Sequence, residues 1–165
     1  MDRLYAPWRT KYVTTDKVKI KGCVFCHAVE TLDDDENLGV LYREKDFFIV
    51  MNKYPYSPGH IMIIPNLHTS NLEDLDSEIF VQMSLHTQKA VRMLKEVLNA
   101  QGVNIGMNLG KAAGAGIAEH IHLHLVPRWK GDTNFITTIG ETRVYSSDIQ
   151  EMYKKLKNVA SVYFR

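Results

Sequence analysis

The segment Glu119-His120-Ile121-His122-Leu123-His124-Leu125-Val126-Pro127 decides the fold. Its three histidines alternate with aliphatic residues, and successive side chains of a β-strand point to opposite faces. The pattern therefore predicts a strand with all three imidazoles on one face and the aliphatic side chains on the other. With a rise of roughly 3.3 Å per residue, neighbouring imidazoles lie about 6.6 Å apart, which suits a chain of phosphates or a metal ion with further ligands from elsewhere. We expect Pro127 to end the strand pairing, because it has no N–H to donate.

A half-buried strand whose polar face happens to be histidine is the alternative interpretation. The chain has 7 histidines among 165 residues, so a single histidine at such a position needs no explanation. Three in strict alternation, preceded by the glycine-rich residues 110–116, favour a functional site.

Composition limits the classes of function. The chain has 45% hydrophobic and 24% charged residues, which is ordinary for one globular domain with a real core. A net charge of +1 gives no field to attract nucleic acid or an anionic membrane surface. Residues 1–18 lack the apolar core of a signal peptide, and the longest apolar run, residues 47–51, is too short to span a bilayer. We therefore expect a cytoplasmic protein.

Apolar patterning predicts an α+β domain with a mainly antiparallel sheet. A hairpin is predicted at residues 39–43 and 47–51, a third strand at 61–64 after a shaped loop at 53–59, and another strand at 103–109. A long amphipathic helix is predicted over 77–101 with Gly102 as its stop, and a last helix from a Ser146 or Ser147 cap to about residue 159. The acidic run 33–37 is interpreted as a solvated loop, with a magnesium site as the weaker alternative.

The chain resembles the histidine triad (HIT) family of nucleotidyl hydrolases and transferases, whose signature is His-x-His-x-His followed by two aliphatic residues. The resemblance implies a HIT-like sheet with one long crossover helix and a C-terminal helix. It divides a single 1–165 domain into an N-terminal arm (1–37), a HIT core (38–129) and a C-terminal extension (130–165). It also implies a homodimer that binds a small nucleotide, with neither nucleic acid nor a membrane as partner.

The resemblance also implies roles for residues. The family's nucleophile is the middle histidine, here His122, which would form a covalent nucleotidyl-histidine while His124 donates to the α-phosphate. Asn52 matches a ribose-contacting position, although without the resemblance it reads as a turn residue. Asn108 matches a phosphate-contacting position, after a one-residue insertion is allowed. Gly116 lacks the side-chain donor of its relatives, but its backbone N–H can still cradle an anion. His60 is expected either to support the nucleophile in the nucleotide site or to be a core histidine.

Cys23 and Cys26 are the only cysteines and have the spacing of a zinc hairpin. The resemblance implies His68 and His120 as the other two ligands of a structural Cys₂His₂ zinc site. Two buried thiols or a redox pair are the alternatives. The thioredoxin-like interpretation needs a parallel strand before the motif, and residues 16–22 do not predict one. Magnesium would enter only together with the substrate.

Three further segments, residues 52–60, 104–110 and 127–136, together with Ala6-Pro7-Trp8-Arg9, resemble the bacterial diadenosine tetraphosphate phosphorylase branch. This likeness implies that inorganic phosphate attacks adenylyl-His122 and that ADP and ATP are released. Gly116 and Ile117 stand where family members carry Gln or Ser, so water acting on dinucleoside polyphosphates or nucleoside phosphoramidates stays open. A zinc-dependent metallohydrolase that uses His120 and His122, and a non-catalytic nucleotide-binding protein, are the remaining alternatives.

Overall fold

The computed structural model describes residues 22–134, 137, 139–140 and 147–165. The predicted arm around Trp8, the positions 135–136 and the Ser146 cap lie outside these residues. In the described part of the chain, no helix is long and apolar enough to cross a membrane.

The predicted strands and the two predicted helices occur in the predicted order, and two short helices precede them. The strands are β1 (Val40–Arg43), β2 (Phe47–Met51), β3 (Ile61–Pro65), β4 (Gly102–Met107) and β5 (Leu123–Arg128). The helices are α1 (Val24–Glu30), α2 (Asp35–Leu38), α3 (Ser77–Leu98) and α4 (Ile149–Phe164). Short 3₁₀ turns lie at Leu72–Asp74 and Lys111–Ala113.

The five strands form one sheet in the order β1-β2-β3-β5-β4, and all neighbours are antiparallel. The predicted α+β fold class is thus confirmed. The histidine-bearing strand β5 lies inside the sheet, pairing with β3 through Ile61↔Leu125 and Ile63↔Leu123. Pro127 does not end the pairing, because β5 continues along β4 to Arg128. Beyond Leu125, β5 pairs with β4 alone, so a proline without an N–H is tolerated there.

Both faces of the sheet are covered, which explains why every position of β2 and β3 is buried. On one face α3 and α4 pack against alternate residues of the strands, and this main core includes Met83, Leu94 and Leu156. On the other face α1 places Phe25 and Ala28 on a smaller cluster, whose members are Val40, Phe48, Val50, Met62 and Ile64.

The long helix α3 ends earlier than predicted. Asn99 adopts a left-handed conformation with φ 52° and terminates the helix after Leu98, whereas Gly102 begins β4. Asparagine tolerates this conformation better than most residues, so it acts as the stop that was assigned to glycine.

The last helix also differs from the prediction. Asp148 caps α4 by accepting the backbone N–H groups of Gln150 and Glu151 at 2.8 and 3.0 Å, in place of a serine. A cap of this kind contributes about 1 kcal/mol. The helix then continues to Phe164, beyond the predicted end near residue 159, because Phe164 is buried in the main core.

The acidic run is only in part a solvated loop, because residues 35–37 lie in a helix. Asp35 begins the short helix α2 and binds Arg43 at 2.8 Å and Lys157 at 3.0 Å. Arg43 also donates to the carbonyls of Ala28 and Thr31. This network connects α1, α2, β1 and α4, and it engages the carboxylate of Asp35.

Candidate active site and metal centre

The three triad histidines keep the predicted alternation although pairing begins only at Leu123, so His120 and His122 precede the strand. Ile121, Leu123 and Leu125 face the main core. The imidazoles lie on the opposite side, where Phe25 contacts the rings of His120 and His122. The rings of His122 and His124 are closer than the predicted spacing, with centroids 4.7 Å apart in an edge-to-face arrangement.

The backbone fixes the tautomer of His122. Its Nδ1 lies 2.8 Å from the carbonyl oxygen of His120. A carbonyl only accepts, so Nδ1 carries the proton and Nε2 carries the lone pair. His122 is 6% exposed, which leaves a largely desolvated nitrogen lone pair at the surface of the site. This is the form in which an imidazole can attack phosphorus.

A second chain of hydrogen bonds fixes the tautomer of His124. The backbone N–H of Tyr56 donates to His60 Nδ1 at 3.1 Å, so His60 carries its proton on Nε2. That N–H donates to His124 Nδ1 at 3.0 Å. His124 must then carry its own proton on Nε2. The lone pair of His122 is therefore accompanied by an N–H donor on the neighbouring imidazole of His124.

Burial keeps the imidazoles of His60 and His124 neutral. Desolvation, with the neighbouring His124 and His122, lowers the pKa of His60 to about 3. Desolvation, followed by the effect of His122, lowers the pKa of His124 to about 4. Both rings therefore act at neutral pH as oriented dipoles and not as cations.

His60 packs against His124, and its Nε2 lies 3.0 Å from His124 Nδ1. It is completely buried, with its ring centroid 5.1 Å from that of His124. For His60, the alternatives of a supporting residue in the nucleotide site and a core histidine both stay predictions. Part of its environment is Asn52, whose amide nitrogen lies 3.3 Å from His60 Nδ1.

The predicted nucleotide contacts lie in loops that follow strands. Asn52 comes directly after β2, and its Oδ1 accepts the N–H of Tyr54 at 2.9 Å, so it does act as a turn residue. Asn108 follows β4 and is half-buried. Gly116 is exposed, and a Cβ added there would meet nothing within 4 Å. Their contacts with a nucleotide stay predictions.

The four predicted metal ligands converge. The ligand atoms of Cys23, Cys26, His68 and His120 all lie within 4.8 Å of one another. Cys26 Sγ is 3.1 Å from His68 Nδ1, and Cys23 Sγ is 3.4 Å from His120 Nδ1. A tetrahedral zinc ion, with bonds of about 2.3 Å to sulfur and 2.0–2.1 Å to nitrogen, separates its ligand atoms by roughly 3.3–3.8 Å. The cluster therefore has nearly the size that zinc requires.

The chemistry of the donors fits a cation as well. His120 Nε2 donates to the Pro65 carbonyl at 2.9 Å, so its Nδ1 lone pair points at the sulfur atoms. Burial raises the pKa of the Cys26 thiol, and Cys23 raises it further. Two adjacent thiolates in this position need a bound cation to compensate their charge. Cys23 does precede a helix, as in thioredoxin-like motifs, but the described strand pairs are all antiparallel.

Two contacts were missed at the level of sequence. Phe25 lies between the two cysteines and packs on His122 with ring centroids 5.3 Å apart. Tyr56 packs on His60 and His124 at 4.8 and 5.8 Å. The only available signal for either was its position inside a segment already singled out for other residues.

Comparison with known proteins agrees with this geometry. A family model described as "HIT domain" matches residues 35–131. A Mycobacterium tuberculosis protein named AP-4-A phosphorylase is 41% identical over 150 residues, covering 87% of this chain and 76% of the relative. A Schizosaccharomyces pombe protein named bis(5'-nucleosyl)-tetraphosphatase (asymmetrical) is 32% identical over 75% of this chain and 63% of its own length.

A solved structure also resembles the chain. The Zn-bound histidine triad family protein from Mycobacterium smegmatis superposes with a TM-score of 0.69 at 32% identity, covering 86% of this chain and 94% of the other. Zinc in that neighbour and the Cys₂His₂ cluster here support a zinc site in this protein. The matched domain, the identity to relatives and the imidazole geometry lead to one conclusion: this chain belongs to the HIT, or histidine triad, family.

Proposed function

We propose that the protein is a nucleotidyl transferase that cleaves diadenosine tetraphosphate and related dinucleoside polyphosphates, with His122 as the nucleophile and inorganic phosphate as the acceptor. The observation that carries the proposal is the hydrogen bond from His122 Nδ1 to the carbonyl of His120, which leaves Nε2 as a lone pair beside the N–H of His124. The relatives named AP-4-A phosphorylase and bis(5'-nucleosyl)-tetraphosphatase support this class of substrate.

The reaction consists of two displacements. His122 Nε2 attacks the α-phosphorus, a P–N bond forms, and the P–O bond to the departing ATP breaks with its electron pair on oxygen. An oxygen of inorganic phosphate then attacks the adenylyl group, the P–N bond breaks, and ADP is released as His122 recovers its lone pair. ATP is a weakly basic leaving group, so positioning and charge stabilisation suffice, and His124 Nε2–H supplies a donor for the phosphoryl oxygens. We assign the ribose to Asn52 and other phosphate contacts to Asn108 and the Gly116 backbone.

The zinc site would have a structural role. Cys23, Cys26, His68 and His120 would hold the ion with four protein ligands, which leaves no position for a reactive water. It would fix α1 to the segment that carries His122. Magnesium bound together with the substrate stays a prediction. Homodimer formation and a cytoplasmic location stay predictions.

The products formed with and without inorganic phosphate show whether phosphate or water attacks the adenylyl group on His122. We expect ADP and ATP from diadenosine tetraphosphate when phosphate is present, and slower formation of AMP without it. AMP alone under both conditions would favour the hydrolase alternative, in which water fills the open space at Gly116.

The nucleophile is tested by trapping label from the substrate on the protein. His122→Gln should abolish both label and turnover, whereas His86→Gln, at a histidine buried on α3, should retain them. Turnover without trapped label and dependent on zinc would support the metallohydrolase. His120 Nδ1 faces the thiols while His122 Nδ1 faces a carbonyl, and this divergence argues against a metal shared by the two rings.

A further inference from the structure

The ring of Phe25 contacts two imidazoles of the triad. Its centroid lies 5.4 Å from that of His120 and 5.3 Å from that of His122, with interplanar angles of 85° and 56°. Phe25 is 7% exposed and belongs to the smaller apolar cluster that α1 covers, so packing fixes its own position. The helix α1 therefore brings one rigid ring against both residues.

The His122 ring needs a constraint from outside its own segment. Its hydrogen bond to the carbonyl of His120 joins residues two apart in the chain, so this bond fixes the tautomer but not the orientation of the ring relative to the rest of the protein. Strand pairing of β5 begins only at Leu123, one residue later. Within the described part of the chain, two aromatic rings contact the His122 ring, and one of them, His124, lies on the same segment. The other is Phe25, which α1 brings from elsewhere in the chain.

We propose that Phe25 is a positioning residue for the nucleophile, which holds the His122 ring in the orientation from which Nε2 attacks the α-phosphorus. The inference rests on the proposed function. Attack requires the reacting atoms to be about 3–3.5 Å apart with their orbitals aligned, so a turn of the imidazole moves its lone pair off the line of attack. The rigid Phe25 ring restricts rotation about the Cβ–Cγ bond of His122. An aliphatic side chain at position 25 would still fill the apolar cluster but would leave the imidazole more freedom to turn.

The test measures the first displacement in a single turnover, as release of ATP with the zinc-loaded protein in saturating excess over diadenosine tetraphosphate. Under this condition an unfolded fraction of the protein does not change the rate constant. Phe25→Leu should lower the rate constant about 10- to 100-fold, because a misplacement of about 1 Å costs about 10²-fold. The protein concentration that gives the half-maximal rate should change much less, since the lost interaction acts on the chemical step and not on binding. Phe25→Met, a second replacement without a ring, should give the same result.

Phe48→Leu is the matched control, because Phe48 is 1% exposed in the same cluster but, among the described residues, its ring contacts no imidazole. It should keep the wild-type rate constant. Equal losses in Phe25→Leu and Phe48→Leu, or a wild-type rate constant in Phe25→Leu, would overturn the inference. So would a Phe25→Leu protein that has lost zinc and regains the wild-type rate constant in excess zinc, because the ring would then act only through the metal site. A wild-type protein that releases no ATP would instead contradict the proposed function itself.

Discussion

Replacing His60 with leucine removes the group that sets the tautomer of His124. His60 has no exposed surface, and its Nε2–H is the donor to His124 Nδ1 at 3.0 Å. Without that donor, His124 is free to place its proton on Nδ1 and to turn a lone pair toward the phosphate. The nucleophile would keep its own tautomer, because His122 is fixed by the His120 carbonyl.

The expected loss of kcat follows from the one hydrogen-bond donor that is affected, the Nε2–H of His124. One donor to a developing oxyanion is worth about 10²–10³ in kcat. Since His124 redistributes between two tautomers and does not lose its N–H outright, His60→Leu should lower kcat by about 10- to 1,000-fold with a smaller effect on KM. The variant also removes the acceptor of the Tyr56 N–H and the donor to His124 Nδ1. Each buried polar group that loses its hydrogen-bond partner lowers stability by about 1–3 kcal/mol.

His60→Gln is the matched variant, because an amide offers both an acceptor for Tyr56 N–H and a donor for His124. It should recover much of kcat. Correlation of the ring ¹⁵N and ¹H signals reports the tautomer of His124 directly, and it should show Nε2–H in the wild-type protein and in His60→Gln. If His60→Leu keeps both this tautomer and the wild-type kcat, the proposed hydrogen-bond chain has no catalytic role and the reasoning is refuted.

Three further predictions concern stability. The folded-state pKa values of His60 and His124, about 3 and about 4, lie below the unfolded value near 6.5, so the unfolded chain binds more protons in this range. Stability should therefore fall as the pH drops from 6.5, to about 4 for His124 and to about 3 for His60, by up to about 1.4 kcal/mol per pH unit for each group in denaturant titrations. Free zinc at 100 times its Kd should stabilise the protein by about 2.7 kcal/mol in calorimetry, and Cys26→Ser should remove most of this effect. Gly59→Ala should be destabilising by about 1–3 kcal/mol more than Gly114→Ala, since both glycines have positive φ but only the Gly59 methyl group would fall on Leu98. Equal losses in the two glycine variants would contradict that packing argument.

Much of the fold could be predicted because its strands have short, strong patterns. The sequences of β2 and β3 are continuous apolar runs. The alternating pattern at His120–His124 places the three imidazoles on one face only if the backbone is extended. The errors lie at element ends, where local chemistry decides. The long helix ends at Asn99 and not at the predicted Gly102, and the last helix is capped by Asp148 and not by a serine. Both errors arise because several residue types can end or cap a helix. The acidic run became helical because Arg43 and Lys157 compensate Asp35, and neither partner is a sequence neighbour.

The convergence of the two cysteines with His68 and His120 could be predicted, but the tautomers of the histidines could not. Ring protons here are assigned by backbone groups: the Pro65 carbonyl for His120, the His120 carbonyl for His122 and the Tyr56 N–H for His60. The assignments of His120 and, through His60, of His124 depend on the fold, which brings Pro65 and the loop after β2 beside β5. One consequence is that His120 serves two centres, because its ring faces the cysteines while its carbonyl orients His122. Occupation of the metal site should therefore sharpen the position of the nucleophile without any ligand of the metal contacting the substrate.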